Sequence, residues 1–115
     1  MAAAVTIAPI RSGLVEEWRA FVAELQGPRR IEWVQSQRRR GITRQVISLA
    51  SGDPVLAVIY TESDDPEGAR ERLAGSDDPF DAWFRARLEE LHDAPFEAEV
   101  VFDSAPRPGP WRGWR

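Results

Sequence analysis

The chain has 115 residues, 43% of them apolar and 30% charged, which is the make-up of one globular domain around one core. Cysteine is absent and histidine occurs once, so disulfides, thiolate chemistry and a multi-histidine metal site within one chain are excluded. A formal net charge of −4 argues against general nucleic-acid affinity, which needs basic patches.

All 15 basic residues are arginine, and they are unevenly spread. Residues 1–50 carry eight Arg against four Glu, 51–103 carry four Arg against fifteen Asp and Glu, and the last twelve residues add three Arg and no acid. Segments of opposite sign complement one another within a fold or across a dimer. The apolar start, Met1 to Ala8, lacks the basic flank of a signal peptide. No apolar run approaches a membrane span, so a cytoplasmic protein with no membrane partner is expected.

In chain order, residues 4–10 alternate weakly and read as a first strand with Val5 and Ile7 on one face. Ser12 offers an N-cap, and Leu14, Trp18, Phe21, Val22 and Leu25 fall at helical spacing. Gly27-Pro28 breaks that helix, because proline lacks the donor and clashes with the preceding turn. Ile31 and Val34 continue an apolar stripe up to Arg38-Arg39-Arg40-Gly41, where three cations and a glycine suit a helix C-terminus.

Residues 42–62 read as a hairpin turning at Gly52-Asp53. A two-residue loop would pair Leu49/Leu56, Ile47/Val58, Gln45/Tyr60 and Thr43/Glu62 on one face. It would pair Ala50/Val55, Ser48/Ala57, Val46/Ile59 and Arg44/Thr61 on the other. Neither face is polar along its middle, so each needs a cover.

The tetrapeptide Ser-Asp-Asp-Pro then appears at 63–66 and again at 76–79, each time as a helix-start signal. The first helix turns Ala69 and Leu73 inward and stops at Gly75; the second runs to about His92 with Phe80, Trp83, Phe84, Leu88 and Leu91 on one stripe. Alternation over 96–103 gives a fourth strand. A domain over 1–104 is thus followed by a Pro/Arg/Trp tail, 105–115, with Trp111 and Trp114.

The order β-α-β-β-α-β is the split βαβ of ferredoxin-like α+β domains, a four-stranded antiparallel sheet with strands 1 and 3 central. Its two helical regions cover one sheet face only. A second copy of the chain, packed sheet to sheet, is the economical cover for the other, so a homodimer is expected.

Val58-Ile59-Tyr60-Thr61-Glu62, followed by a helix containing Asp78-Pro79-Phe80-Asp81-Ala82-Trp83-Phe84, resembles the dimeric α+β barrel superfamily, which includes the antibiotic-biosynthesis-type monooxygenases. Leu14 to Leu25, Arg30, Glu32 and the Asp-Pro-Phe-Asp helix resemble more narrowly an uncharacterised bacterial domain-of-unknown-function family. The resemblance spans roughly residues 4–103 and rests on patterning more than on rare motifs. It implies face-to-face dimers, some members of which hold small hydrophobic substrates or haem between sheet and helices. Where many of the monooxygenases have a histidine before the aromatic of the second helix, this chain has Pro79.

Several residues are candidates for function. His92 alone titrates near neutrality, and it also sits at a helix end that favours an imidazolium. Tyr60, Gln45 and Glu62 share a face in the expected register and would set a phenol, an amide and a carboxylate around a ligand, with Arg44 excluded from them. Trp18, Trp33 and Trp83 are core residues or the lining of an apolar pocket. Arg38 to Arg40 and Arg44 come without a phosphate loop or an aromatic platform, so the helix-end role stands for the run.

Three functions follow. The first is a small homodimeric protein of unassigned activity that binds a small apolar ligand between sheet and helices, with no metal and no cofactor. The second is a cofactor-independent monooxygenase or isomerase in which Tyr60 or His92 handles a proton and Glu62 orients it. The third is an interaction module that docks a partner through the tail.

Overall fold

The computed structural model describes residues 2–104. The tail, 105–115, with its expected docking role, lies outside the described residues.

Four strands form one antiparallel sheet: β1 (Ala2–Pro9), β2 (Ile42–Ala50), β3 (Leu56–Ser63) and β4 (Phe96–Ala98), in the order β2-β3-β1-β4. Between β1 and β2 lie α1 (Val15–Gln26) and α2 (Arg30–Arg39); between β3 and β4 lie α3 (Pro66–Ala74) and α4 (Pro79–Leu91). This is the expected ferredoxin-like α+β arrangement, with each helical region split in two.

The repeated tetrapeptide accounts for the second split. In each copy the serine hydroxyl accepts the N–H two residues on, Asp65 to Ser63 and Asp78 to Ser76. The second aspartate then caps its helix, Asp65 accepting from Gly68 N at 3.0 Å and Asp78 from Phe80 N at 2.9 Å. Proline fills the first turn of both helices, where its missing N–H is no loss. At α1 the cap differs from expectation. Gly13, at φ +81°, makes the turn out of β1, the helix starts after Leu14, and no side chain caps it.

Trp18, Phe21 and Leu25 of α1 meet Phe80, Phe84 and Leu91 of α4 in the core, with Ala8 of β1 and Ala57 of β3 beneath them. Phe21 lies 5.7 Å from Phe84, and Phe84 5.9 Å from Phe80, centroid to centroid, both pairs stacked. The expected stripe on α2 fails at Ile31, which is 74% exposed. The break at Gly27-Pro28 resets the helical phase, so Trp33, Ser36 and Arg40 turn inward instead.

The hairpin register is one residue away from expectation. Ala50 pairs with Leu56, Ile47 with Ile59, Val46 with Tyr60 and Gln45 with Thr61, and the strands are joined by 51–55 rather than by a two-residue turn. A two-residue turn at Gly52-Asp53 would need the N–H of residue 54 to bond to the Ser51 carbonyl, and Pro54 has none. A one-residue slip exchanges the faces of one strand relative to the other. Near the far end a bulge between Ile42 and Arg44 takes up Thr43, whose hydroxyl donates to the Glu62 carbonyl.

The inner face, under the helices, therefore carries Gln45, Ile47, Ala57, Ile59 and Thr61 together with Thr6 and Ala8 of β1. The outer face carries Val5, Ile7, Val46, Val58 and Tyr60, with Phe96 of β4 paired to Ile7. Strand β4 is shorter than the expected 96–103. Its next partners on β1 would be Ala4, Ala3 and Ala2, whose methyl groups offer little cross-strand surface. No helix among the described residues is long and apolar enough to cross a membrane.

Candidate functional site

Between the inner face and the helices lies a cavity of about 310 Å³. Trp18, Phe21, Val22 and Leu25 of α1 form one wall, Phe84 and Leu88 of α4 the roof, and Ala69 and Leu73 of α3 another side. Ile47, Ala57 and Ile59 make the floor, with Gln45, Thr61 and Thr6 as its polar points. Close-packed interiors leave few gaps larger than a water molecule, so this recess, partly open to solvent, is larger than packing of helices on a sheet requires.

His92 borders the cavity and is locked on both ring nitrogens. Its Nε2 accepts from the Trp18 indole N–H at 2.9 Å, and its Nδ1 lies 2.9 Å from the Leu88 carbonyl. An indole nitrogen only donates and a carbonyl only accepts, so the ring must be the neutral tautomer with its proton on Nδ1. Protonation would point two N–H groups at each other. Burial lowers the proton affinity of His92 below its ordinary value; the Leu88 carbonyl works against this, and the Arg11 charge adds to it. The helix end favours a cation here, and burial outweighs it.

The three residues expected to share a face are divided. Gln45 lies inside, where its Nε2 donates to the Thr61 hydroxyl at 3.1 Å and its Oε1 accepts from Gln37 at 3.3 Å. Tyr60 and Glu62 lie on the outer face, and Arg44, expected to be excluded, joins them at 3.5 Å from Glu62 and 6.0 Å from the Tyr60 ring. Desolvation, and then the Glu62 carboxylate, raise the Tyr60 phenol above its ordinary value, so it stays protonated at neutral pH. The sheet thus separates Tyr60 and Glu62 from His92.

Of the tryptophans, Trp18 borders the cavity, whereas Trp83 packs between Phe21 and Phe80 under the Arg29 guanidinium at 4.0 Å. Trp33 packs against the core, and its buried indole N–H finds no acceptor among the described residues. No cluster of three or more metal-ligating His, Cys, Asp or Glu occurs among the described residues.

A polar group behind the cavity went unforeseen. Asp81, 1% exposed in the first turn of α4, accepts from the Ser36 and Ser76 hydroxyls and from Arg39 Nη2 at 3.1 Å. Burial presses its carboxyl upward, yet these hydrogen bonds outweigh burial and hold it below the usual carboxylate range. Ser36 also accepts from Arg40 Nε at 3.3 Å, and Arg40 borders the cavity with its guanidinium 5.5 Å from the Phe84 ring. Burial pulls Arg40 down to about 10, against the pull of Asp81, and it stays charged at neutral pH. The helix-end arginines therefore divide: Arg38 is exposed, Arg39 bonds Asp78 and Asp81, and Arg40 is buried. The spacing Trp33, Ser36, Arg40 was the available signal, three and then four residues apart on one helix face.

No protein-family model matches the chain, and no curated protein matches it. Among solved structures it is similar to a dimeric ferredoxin-like protein from an uncultured marine organism, with a TM-score of 0.62 and 17% identity over 90% of this chain and 99% of that one. The two share the ferredoxin-like fold.

Proposed function

We propose that this chain is a small homodimeric binding protein of the dimeric α+β barrel type, holding a small apolar ligand between sheet and helices. The observation that carries this reading is the cavity of about 310 Å³, within the roughly 300–1,000 Å³ typical of small-molecule sites. Its wall is mostly apolar, with Trp, Phe, Leu and Ile joined by Ala, Val and Pro, which suits an apolar guest.

The outer sheet face supports the dimer. Val46 is 38% exposed and Phe96 56%, and no helix among the described residues covers the row they share with Val5, Ile7 and Val58. The structural relative is described as dimeric, which agrees. Binding is preferred to a proton-transferring oxygenase or isomerase on two grounds. His92 is hydrogen-bonded as a neutral ring on both nitrogens, and Tyr60 with Glu62 faces away from the cavity.

Light scattering together with thermal melting in the presence of 2-naphthalenemethanol tests both parts. The expected results are a dimer mass and a stabilisation that disappears when Ile59→Trp fills the cavity. A monomer at micromolar concentration overturns the dimer, and equal stabilisation of Ile59→Trp overturns the cavity as the binding site.

A further inference from the structure

Arg40 is more than an apolar site requires. The residue is 5% exposed, Nε reaches only the Ser36 hydroxyl, and Nη2 is buried with no hydrogen-bond partner among the described residues. A buried guanidinium nitrogen without an acceptor is destabilising, because the water it gave up is not replaced.

Its anchorage is firm. The Arg40 N–H donates to the Ser36 carbonyl at 3.1 Å, and its own carbonyl accepts from Arg72 Nε and Nη2 at 3.2 and 2.7 Å. Gly41 follows at φ +76°, the left-handed residue that turns the chain from α2 into β2. The side chain thus rises from a fixed junction at the cavity wall.

The charges around the cavity are one-sided. Arg40, Arg70 and Arg85 border it with the neutral His92, and no carboxylate among the described residues does, although the chain as a whole carries −4. Arg70 is paired with Glu97 at 3.2 Å, and Arg85 donates to the Leu73 and Ser76 carbonyls. Asp81 is hydrogen-bonded to Arg39; it attracts the Arg40 charge but is hydrogen-bonded to Arg40 only by way of Ser36. Arg40 therefore sets a buried guanidinium, in no ion pair among the described residues, at the cavity wall.

We propose that the ligand is a small monocarboxylic acid with an apolar body, its carboxylate paired with the Arg40 guanidinium and its body lying among Phe21, Leu25, Ile47, Ile59 and Leu88. This rests on the binding reading above and narrows it. One guanidinium charge matches a monoanion; a phosphate dianion would bring a second charge and further lone pairs into an apolar wall. The size limit follows from volume. A cavity of about 150 Å³ holds benzene, so about 310 Å³ takes two fused rings or a medium alkyl chain.

The test uses the full chain and titration calorimetry with benzoic, 2-naphthoic and octanoic acids, each beside its matched alcohol. At least one acid is expected to bind roughly tenfold or more tightly than its alcohol, the ordinary worth of a charge-assisted hydrogen bond. Arg40→Met is expected to remove that preference and leave the alcohol's affinity within about threefold. Equal binding of acid and alcohol overturns the carboxylate proposal and leaves the binding reading standing. No binding by any of the six overturns both. An acid preference that survives Arg40→Met assigns the anion to another cation and overturns the role of Arg40. The comparison of acid with alcohol on the unaltered chain decides the ligand class even where that variant does not fold.

Discussion

Replacing Asp81 by alanine removes the acceptor that joins α2, α4 and the turn before α4. Ser36 and Ser76 lose a buried charged acceptor, and Arg39 keeps Asp78. Each hydrogen bond to a buried charge is worth about 1.5–3 kcal/mol. The Arg39 pair counts for little, since Arg39 is 41% exposed along its side chain and solvent screens it. The two serine bonds, allowing for non-additivity, put the loss at about 3–5 kcal/mol. For a domain near this size that is a fall in melting temperature of roughly 12–30 °C. Asp81→Asn keeps the shape and one acceptor and loses the charge, so about 1–3 kcal/mol is expected.

The pH dependence separates charge from shape. The folded Asp81 carboxyl is held below its usual value, so the unfolded chain takes the proton first as the pH falls. The advantage of Asp over Asn is therefore complete above the unfolded value of about 3.9 and shrinks as the pH drops through and below it. Urea melts at pH 7, repeated at successively lower pH, measure both. An Asp81→Ala melting temperature within about 4 °C of the parent at pH 7 would refute the reasoning.

Two further perturbations follow from the same structure. Because burial depresses the folded His92, the unfolded chain binds the extra proton, so stability should be full above about pH 6.5 and decline below it. Trp18→Phe frees Nε2 to accept that proton, and melts between pH 5 and 8 should show a flatter acid-side slope together with a loss of about 1–3 kcal/mol at pH 8; an unchanged slope would contradict the assigned tautomer. On the outer face, Val46→Arg adds a cation beside Arg44 at a half-exposed site, so the isolated fold should lose no more than about 0.5 kcal/mol while the dimer dissociates. Light scattering that returns an undiminished dimer mass would move the interface elsewhere.

The parts of the fold set by local chemistry were legible in the sequence. Both Ser-Asp-Asp-Pro copies cap helices as read, and the Trp18/Phe21/Leu25 and Phe80/Phe84/Leu91 stripes form the core. In the hairpin, the N–H that Pro54 lacks argues against a two-residue turn at Gly52-Asp53, but it does not by itself set the register found. The one-residue slip separated Gln45 from Tyr60 and Glu62, so the candidate site changed with it. Arg40 was obscured for a different reason. Three adjacent arginines before a glycine satisfy a helix end equally well, and which of them turns inward depends on the phase reset at Gly27-Pro28. Asp81 was obscured by its position, since an acid in a first helical turn is explained by the dipole alone. The ring state of His92 depended on contact with Trp18, 74 residues away in sequence.

The most direct test of ligand binding in the sheet–helix cavity uses the six isoleucines of the chain as reporters. Ile42, Ile47 and Ile59 border the cavity, Ile7 is on the outer sheet face and Ile31 is exposed on α2. Methyl NMR of isoleucine-labelled protein, titrated with 2-naphthoic acid, should shift Ile42, Ile47 and Ile59 and leave Ile7 and Ile31 in place. Shifts centred on Ile7, or saturating titration with the three cavity methyls unmoved, would contradict it.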